Sequence, residues 1–311
     1  FMQEAHSNKY PNDFDDEINL RELLYVLWGG KWIIISLTAF ASTIGVIYSL
    51  LLPNIYESKT LLAPVSPSSS ITGALRNYSG LAGLAGISLP SNVDQGNAVE
   101  AIQKISSLSF FENNILPNIY QPDLMAVKSW DSKTNTLVYD ESIYDTKSST
   151  WIGGFSDIPS TQESFEVFKT HAALSEDRIS GFVTLSIKHQ SPFVAKQWTE
   201  LVVNEINNFY RQKDKSESEK AANYLNQQIS LTGLSEIKEV LAQLLQEETK
   251  KLTLIEANKS YVFDFIDPPA VMEKKSEPKR AFISILSFLL GGILSILFVL
   301  IRHYAFSKKT P

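Results

Sequence analysis

No cysteine occurs in the 311 residues, which excludes disulfide frameworks, thiol nucleophiles and thiolate zinc sites and leaves the redox compartment open. Histidine is scarce, with four residues scattered at positions 6, 171, 189 and 303. No HExxH, His/Asp ladder or Gly-x-Ser-x-Gly is present, so zinc-protease and serine-hydrolase chemistry lack their signatures. Excess basic charge is missing too, with 28 Lys and Arg against 34 Asp and Glu. The tails at 1–31 and 302–311 hold six of each sign, which leaves 22 basic and 28 acidic residues in between, a net charge of −6. Such a balance does not fit a nucleic-acid binder, which needs clustered Lys and Arg.

Two stretches lack charge, histidine and proline altogether, at 32–52 and 281–301. Each is about 21 residues, close to the ~20 that a helix needs to cross a bilayer's hydrocarbon core. The first is too long, and too far behind the acidic run 13–17, to be a cleaved signal peptide. Two spans put both tails on one side. The last tail carries Arg302, Lys308 and Lys309 without an acid, which favours the cytoplasm. Lys274, Lys275, Lys279 and Arg280 sit just before the second span on the opposite side, but basic residues in long translocated loops count for less.

Between the spans lie about 228 residues of ordinary globular composition, enough for a sizeable core. Before the first span, Ile18, Leu20, Leu23, Leu24, Val26 and Leu27 predict a surface helix capped by Asp16 or Asn19. Alternation predicts a strand over 55–65. The segment 66–91 is rich in Ser, Gly and Pro. Its Gly80, Gly83 and Gly86 lack the Lys-Ser/Thr of a phosphate loop, so it reads as a flexible apolar loop. Near-helical spacing predicts one or two short helices over 97–116 and a helix over 161–174. Period two predicts a strand over 179–188; residues 118–160 carry no clear period.

From Ser191-Pro192, a helix-start pair, about 41 residues run to Leu231 without Gly or further Pro, roughly 60 Å if helical. Val194, Trp198, Leu201, Val202, Ile206 and Phe209 form an apolar stripe in the first half. The run 211–220 is almost wholly charged or polar, so the helix leaves its own core for solvent or another subunit. Thr232-Gly233 ends it. Leu234, Ile237, Leu241, Leu244, Leu245, Leu252 and Ile255 then give a heptad-like seam, imperfect at Glu248, for a helix that folds back. A strand over 261–266 and an extended Pro268–Pro278 link lead into the second span. Asp264 and Asp267 are paired carboxylates by spacing, and the commoner reading is a solvated strand end. Small residues four apart, Ala41, Gly45 and Ser49 in one span and Ser287, Gly291 and Ser295 in the other, allow close helix packing.

These parts resemble one family. Leu20-Arg-Glu-Leu-Leu, Ser191-Pro-Phe-Val-Ala-Lys-Gln-Trp and Asp267-Pro-Pro through Glu277-Pro-Lys-Arg are similar to segments of the Wzz-type polysaccharide co-polymerases, the O-antigen chain-length determinants. The resemblance implies an α+β fold, two transmembrane helices flanking a periplasmic α/β domain with a very long helix and a returning helix. It implies an inner-membrane protein with cytoplasmic tails at 1–31 and 302–311, spans at 32–52 and 281–301, a membrane-proximal domain beginning at 53–190, helices at 191–260, and a strand and link at 261–280. It further implies a ring-shaped homo-oligomer that biases the lipid-linked polysaccharide polymerase, without catalysis, cofactor or metal. The family's Pro-rich and small-residue motif falls on Pro268, Pro269, Pro278, Lys279, Gly291 and Ser295; Ser295 stands where a second Gly is common, and 270–277 has no internal Pro. Trp198, Leu201 and Phe209 are expected to anchor the long helix, while Arg211, Lys213, Lys215, Glu217, Glu219 and Lys220 face a neighbour or a cavity. A capsule or exopolysaccharide co-polymerase would couple to a tyrosine kinase, and a periplasmic sensor would need a signalling module. The ten residues after 301 are expected to hold neither.

Overall fold

Two apolar helices and a mixed sheet-and-helix unit make up the computed structural model, which describes residues 20–65, 96–152 and 158–307. Contacts group the chain into one unit of Phe1–Leu52 with Pro278–Pro311 and another of Pro53–Glu277. The glycine-rich segment 79–89 and the expected caps Asp16 and Asn19 lie outside the described residues.

The first unit opens with α1 (Leu20–Gly29) and α2 (Lys31–Leu51). In the second, β1 (Tyr56–Pro64) buries Ser58, Thr60 and Leu62 at alternate positions, as a pleated strand must. Helix α3 (Gly96–Ile105) and the helical turns Leu108–Phe110, Phe111–Ile115 and Leu116–Asn118 follow, the middle one a π turn. Then come α4 (Gln121–Met125) and two small antiparallel hairpins, β2 (Val127–Asp131) with β3 (Thr136–Tyr139) and β4 (Tyr144–Asp145) with β5 (Thr150–Trp151). Helix α5 (Thr161–His171) starts on a capping box, in which Ser160 Oγ accepts from Glu163 N–H and Glu163 accepts from Ser160 N–H. Strands β6 (Ala172–Glu176) and β7 (Val183–His189) precede the 40-residue α6 (Pro192–Leu231), the returning α7 (Ser235–Ala257) and β8 (Phe263–Asp267). Helix α8 (Arg280–Ser307) completes the first unit.

The main sheet has the order β6-β7-β1-β8, antiparallel throughout. The first half of α6 packs on β1 and β7. Trp198, Val202, Ile206 and Tyr210 meet Leu62, Val183, Leu185, Ile187 and Phe263, and Phe110, Phe111 and Ile115 close the other side. Each fully buried apolar side chain here stabilises the unit by about 1.5–3 kcal/mol.

Two boundaries depart from the sequence reading. The helix expected over 161–174 stops at His171, and Ala172 begins β6 with no intervening loop. Pairing with β7 wins over local propensity, since Ala172 already faces Ile187, and His171 Nδ1–H donates to Lys188 O at 2.7 Å. The strand expected over 179–188 begins only at Val183. Residues 177–182 form the β6–β7 turn, closed by Gly181 N–H to Asp177 O at 2.7 Å, and Gly181 takes the positive φ of 72° that the turn requires. Ile179 is 98% exposed there, so its apparent alternation was that of a turn.

Candidate functional site

Helices α2 and α8 are each long and apolar enough to cross a membrane. They run antiparallel and meet along a stripe of small residues. A Cβ on Gly45 would overlap the Ser287 side chain, and one on Gly291 would lie 2.7 Å from Ala41 Cβ. Ser295 Oγ donates to Gly292 O at 2.8 Å, so Thr38 Oγ1 is the donor in the buried 3.1 Å Thr38–Ser295 contact. Ser49 is buried, and its carbonyl accepts from Arg280 Nε at 3.2 Å. The structure thus brings together Ala41, Gly45 and Ser49 with Ser287, Gly291 and Ser295. Ser295 makes a hydroxyl pair with Thr38 across the interface. Thr38 was missed, although it extends the 41–45–49 face by one helical step. The outward sides, including Phe40, Ile44, Phe288 and Leu294, are exposed apolar surface.

Of the proline-rich residues, Pro278 and Lys279 belong to this unit, where their carbonyls accept from Arg280 and Ile283 N–H. Pro268 and Pro269 belong to the other, exposed and buried respectively. There the link lies along β1. Thr60 and Ser58 donate to Asp267 O and Ala270 O at 2.7 and 3.0 Å, and Ile55 exchanges backbone bonds with Ser276 and Glu277. The Glu277 carboxylate pairs with Lys188 and raises the Lys188 pKa above its ordinary value. Burial would raise Glu57, but Lys59 and hydrogen bonds from Ser186 and Ser276 hold it below the usual carboxylate range.

In α6, Trp198 is buried in the core and Leu201 and Phe209 pack against it. Asn207 joins the helix to the sheet edge: its Oδ1 accepts from Val262 and Phe263 N–H at 2.8 and 2.9 Å, and its Nδ2 donates to Phe263 O at 2.9 Å. The polar run beyond is spent partly within the chain. Arg211 Nη2 donates to Asn258 O and Lys259 O, capping the end of α7. Lys213 reaches Glu100, Lys215 pairs with Glu256, and Tyr261 OH donates to Asp214. Glu217, Glu219 and Lys220 are exposed. Farther along, α6 packs against α7, whose Leu241, Leu245, Glu248, Leu252 and Ile255 form the seam at heptad spacing. Glu248 Oε2 and Ser218 Oγ are buried there without hydrogen-bond partners among the described residues. Leu234, Ile237 and Leu244, expected in that seam, lie instead with Leu231 and Val240 on another side of the hairpin, each exposed by more than 40%.

Histidines 171 and 189, scattered in sequence, are neighbours in the fold, with ring centres 6.1 Å apart and both against Trp198. His189 Nδ1 accepts from Ser191 N–H and so must donate through Nε2 to Asp123 O at 2.9 Å. Burial pulls its pKa down to about 4. Asp264 and Asp267 are exposed; Asp264 accepts from Ser260 Oγ and Phe265 N–H at its strand edge. Among the described residues no group of three His, Asp or Glu is placed to hold a metal ion.

Helix pair, sheet and hairpin together define a two-span α+β protein. Residues 16–115 match the family model described as chain length determinant protein (Wzz), and residues 235–304 match the "G-rich domain on putative tyrosine kinase" model (GNVR). Each model covers less than half of the chain, and over those residues the chain is similar to chain length determinant proteins and to the GNVR domain. Among curated proteins nothing matches. A full-length bacterial polysaccharide co-polymerase is similar at 15% identity, with 94% of this chain and 100% of that one covered and a TM-score of 0.40. A fragment of the WzzB co-polymerase from Salmonella Typhimurium is similar at 12% identity, with 72% and 100% covered and a TM-score of 0.33.

Proposed function

We propose that this protein is a non-enzymatic regulator that sets the modal chain length of the lipopolysaccharide O-antigen made by a membrane polysaccharide polymerase. It acts as a ring-shaped homo-oligomer in the bacterial inner membrane, with residues 53–277 in the periplasm and both tails in the cytoplasm. The observation that carries the reading is the chain length determinant match over residues 16–115. The exposed stripe on the α6–α7 hairpin supports self-association, because five large apolar side chains in water call for a partner surface and a second copy is the commonest one. In this reading Trp198, Leu201 and Phe209 hold α6 in the base, while Glu217, Glu219 and Lys220 face a neighbouring copy or an enclosed cavity. The outward faces of α2 and α8, with the Pro268–Lys279 link, meet the polymerase and its lipid-linked polysaccharide.

The test is the lipopolysaccharide banding profile of a deletion strain with and without the gene restored. A modal cluster that appears only on restoration supports the reading, and an unchanged ladder counts against it. The match of residues 235–304 to a domain described on tyrosine kinases favours a second reading, length control of another surface polymer such as capsule or enterobacterial common antigen. Under that reading the ladder stays unchanged while the other polymer's size distribution shifts.

A further inference from the structure

Where α2 begins and α8 ends, the first unit holds a groove of about 470 Å³. Val26, Ile33 and Val299 form its apolar wall, and Tyr25, Arg302 and His303 stand around its mouth. At the same level Trp28, Trp32 and Tyr25 are each more than 70% exposed, and Lys31 Nζ sits 5.0 Å over the Trp28 ring. Exposed Trp and Tyr with flanking Lys and Arg mark the height at which a span meets the headgroup layer.

We propose that this groove is a binding site for one anionic glycerophospholipid, its phosphate on Arg302 and the start of its acyl chains against Val26, Ile33 and Val299. A guanidinium beside an apolar wall fits an amphiphile with a negative head, and basic pockets between membrane helices select such lipids by that combination. A neutral lipid brings no net negative head to Arg302, and a free phosphate leaves the apolar wall uncovered. The bound lipid would brace α1 against α8 at the membrane surface.

The inference rests on reading α2 and α8 as membrane spans, so the test separates the two. Full-length protein is placed in nanodiscs of phosphatidylcholine with phosphatidylglycerol, and retained lipid is counted by native mass spectrometry after gentle extraction. Wild type should keep phosphatidylglycerol in preference to phosphatidylcholine. Arg302→Gln should weaken that retention roughly tenfold, the loss of one charge-assisted phosphate contact. Gly29→Leu should do likewise by filling the groove, because a Cβ at Gly29 meets nothing within 4 Å and the fold has room for it. Lys31→Gln, which removes a neighbouring charge outside the groove, should leave retention unchanged. Equal loss in Lys31→Gln and Arg302→Gln overturns the site in favour of general surface charge. Retention unaffected by Arg302→Gln, or abolished by added inorganic phosphate alone, also overturns it. If wild-type protein is released from membranes by carbonate, the span reading itself falls.

Discussion

At Gly45 the two apolar helices come so close that no side chain fits between the backbone and Ser287. Gly45→Ala therefore forces the helices apart, and overpacking of this kind costs about 1–3 kcal/mol. Ser295→Ala removes the hydroxyl pair with Thr38 and a bond to Gly292 O of its own helix, and should cost about 0.6 kcal/mol, the usual worth of one interhelical bond in a membrane. Unfolding titrations in mixed micelles check that order. His189 makes a second prediction at this scale. Its folded pKa of about 4 lies below the ordinary 6.5 because burial disfavours the charged ring; the facing groups are the Asp123 carbonyl, the Ser191 N–H, the His171 ring and Trp198. Above pH 6.5 neither state binds the proton. As pH falls from there toward 4 the unfolded chain takes it up first, so up to about 3 kcal/mol of stability is lost. His189→Phe should flatten that slope while lowering stability at neutral pH, since both hydrogen bonds go. Urea unfolding followed by tryptophan fluorescence at neutral pH and near pH 5 reads both effects.

At the scale of elements, the joint between α6 and β8 depends on one amide. Asn207→Leu leaves two N–H groups and a carbonyl buried without partners, and each such loss costs about 1–3 kcal/mol. The expected result is early loss of amide hydrogen-exchange protection at Val262 and Phe263, ahead of the rest of the sheet. Uniform loss throughout would place the role of Asn207 elsewhere. The helix itself was legible in the sequence, because Ser-Pro starts it, Thr-Gly ends it and no breaker intervenes. Asn207 was not, since the Asn207-Asn208 pair between Ile206 and Phe209 looks like any interruption of an apolar stripe. The α5–β6 junction was hidden because no turn residue separates helix from strand. The hairpins at 127–151 were readable in principle. Asp-Ser-Lys-Thr-Asn-Thr at 131–136 and Asp-Thr-Lys-Ser-Ser-Thr at 145–150 are one turn used twice. In each, Asp accepts from the Lys N–H two residues on, and Asn135 and Ser149 take the same positive φ near 53°.

For the whole molecule, the spans and the packed small-residue stripe could be read because lipid allows only long uncharged helices and close approach allows only small side chains. The role of the polar run 211–220 could not. Arg211, Lys213 and Lys215 are expected from sequence at a neighbour or a cavity, and the fold shows that they also reach Asn258, Glu100 and Glu256 of the same chain. The proposed self-association rests instead on the exposed apolar surface nearer the α6–α7 turn. Changing Leu234, Ile237, Val240 and Leu244 together to Ser removes it without touching the core of the base. The direct measurement is the lipopolysaccharide profile of the deletion strain restored with this variant or with wild type, both verified as folded and membrane-inserted. Length control through a hairpin-mediated oligomer predicts a modal cluster with wild type and an unregulated ladder with the variant. The same modal cluster from both would contradict it.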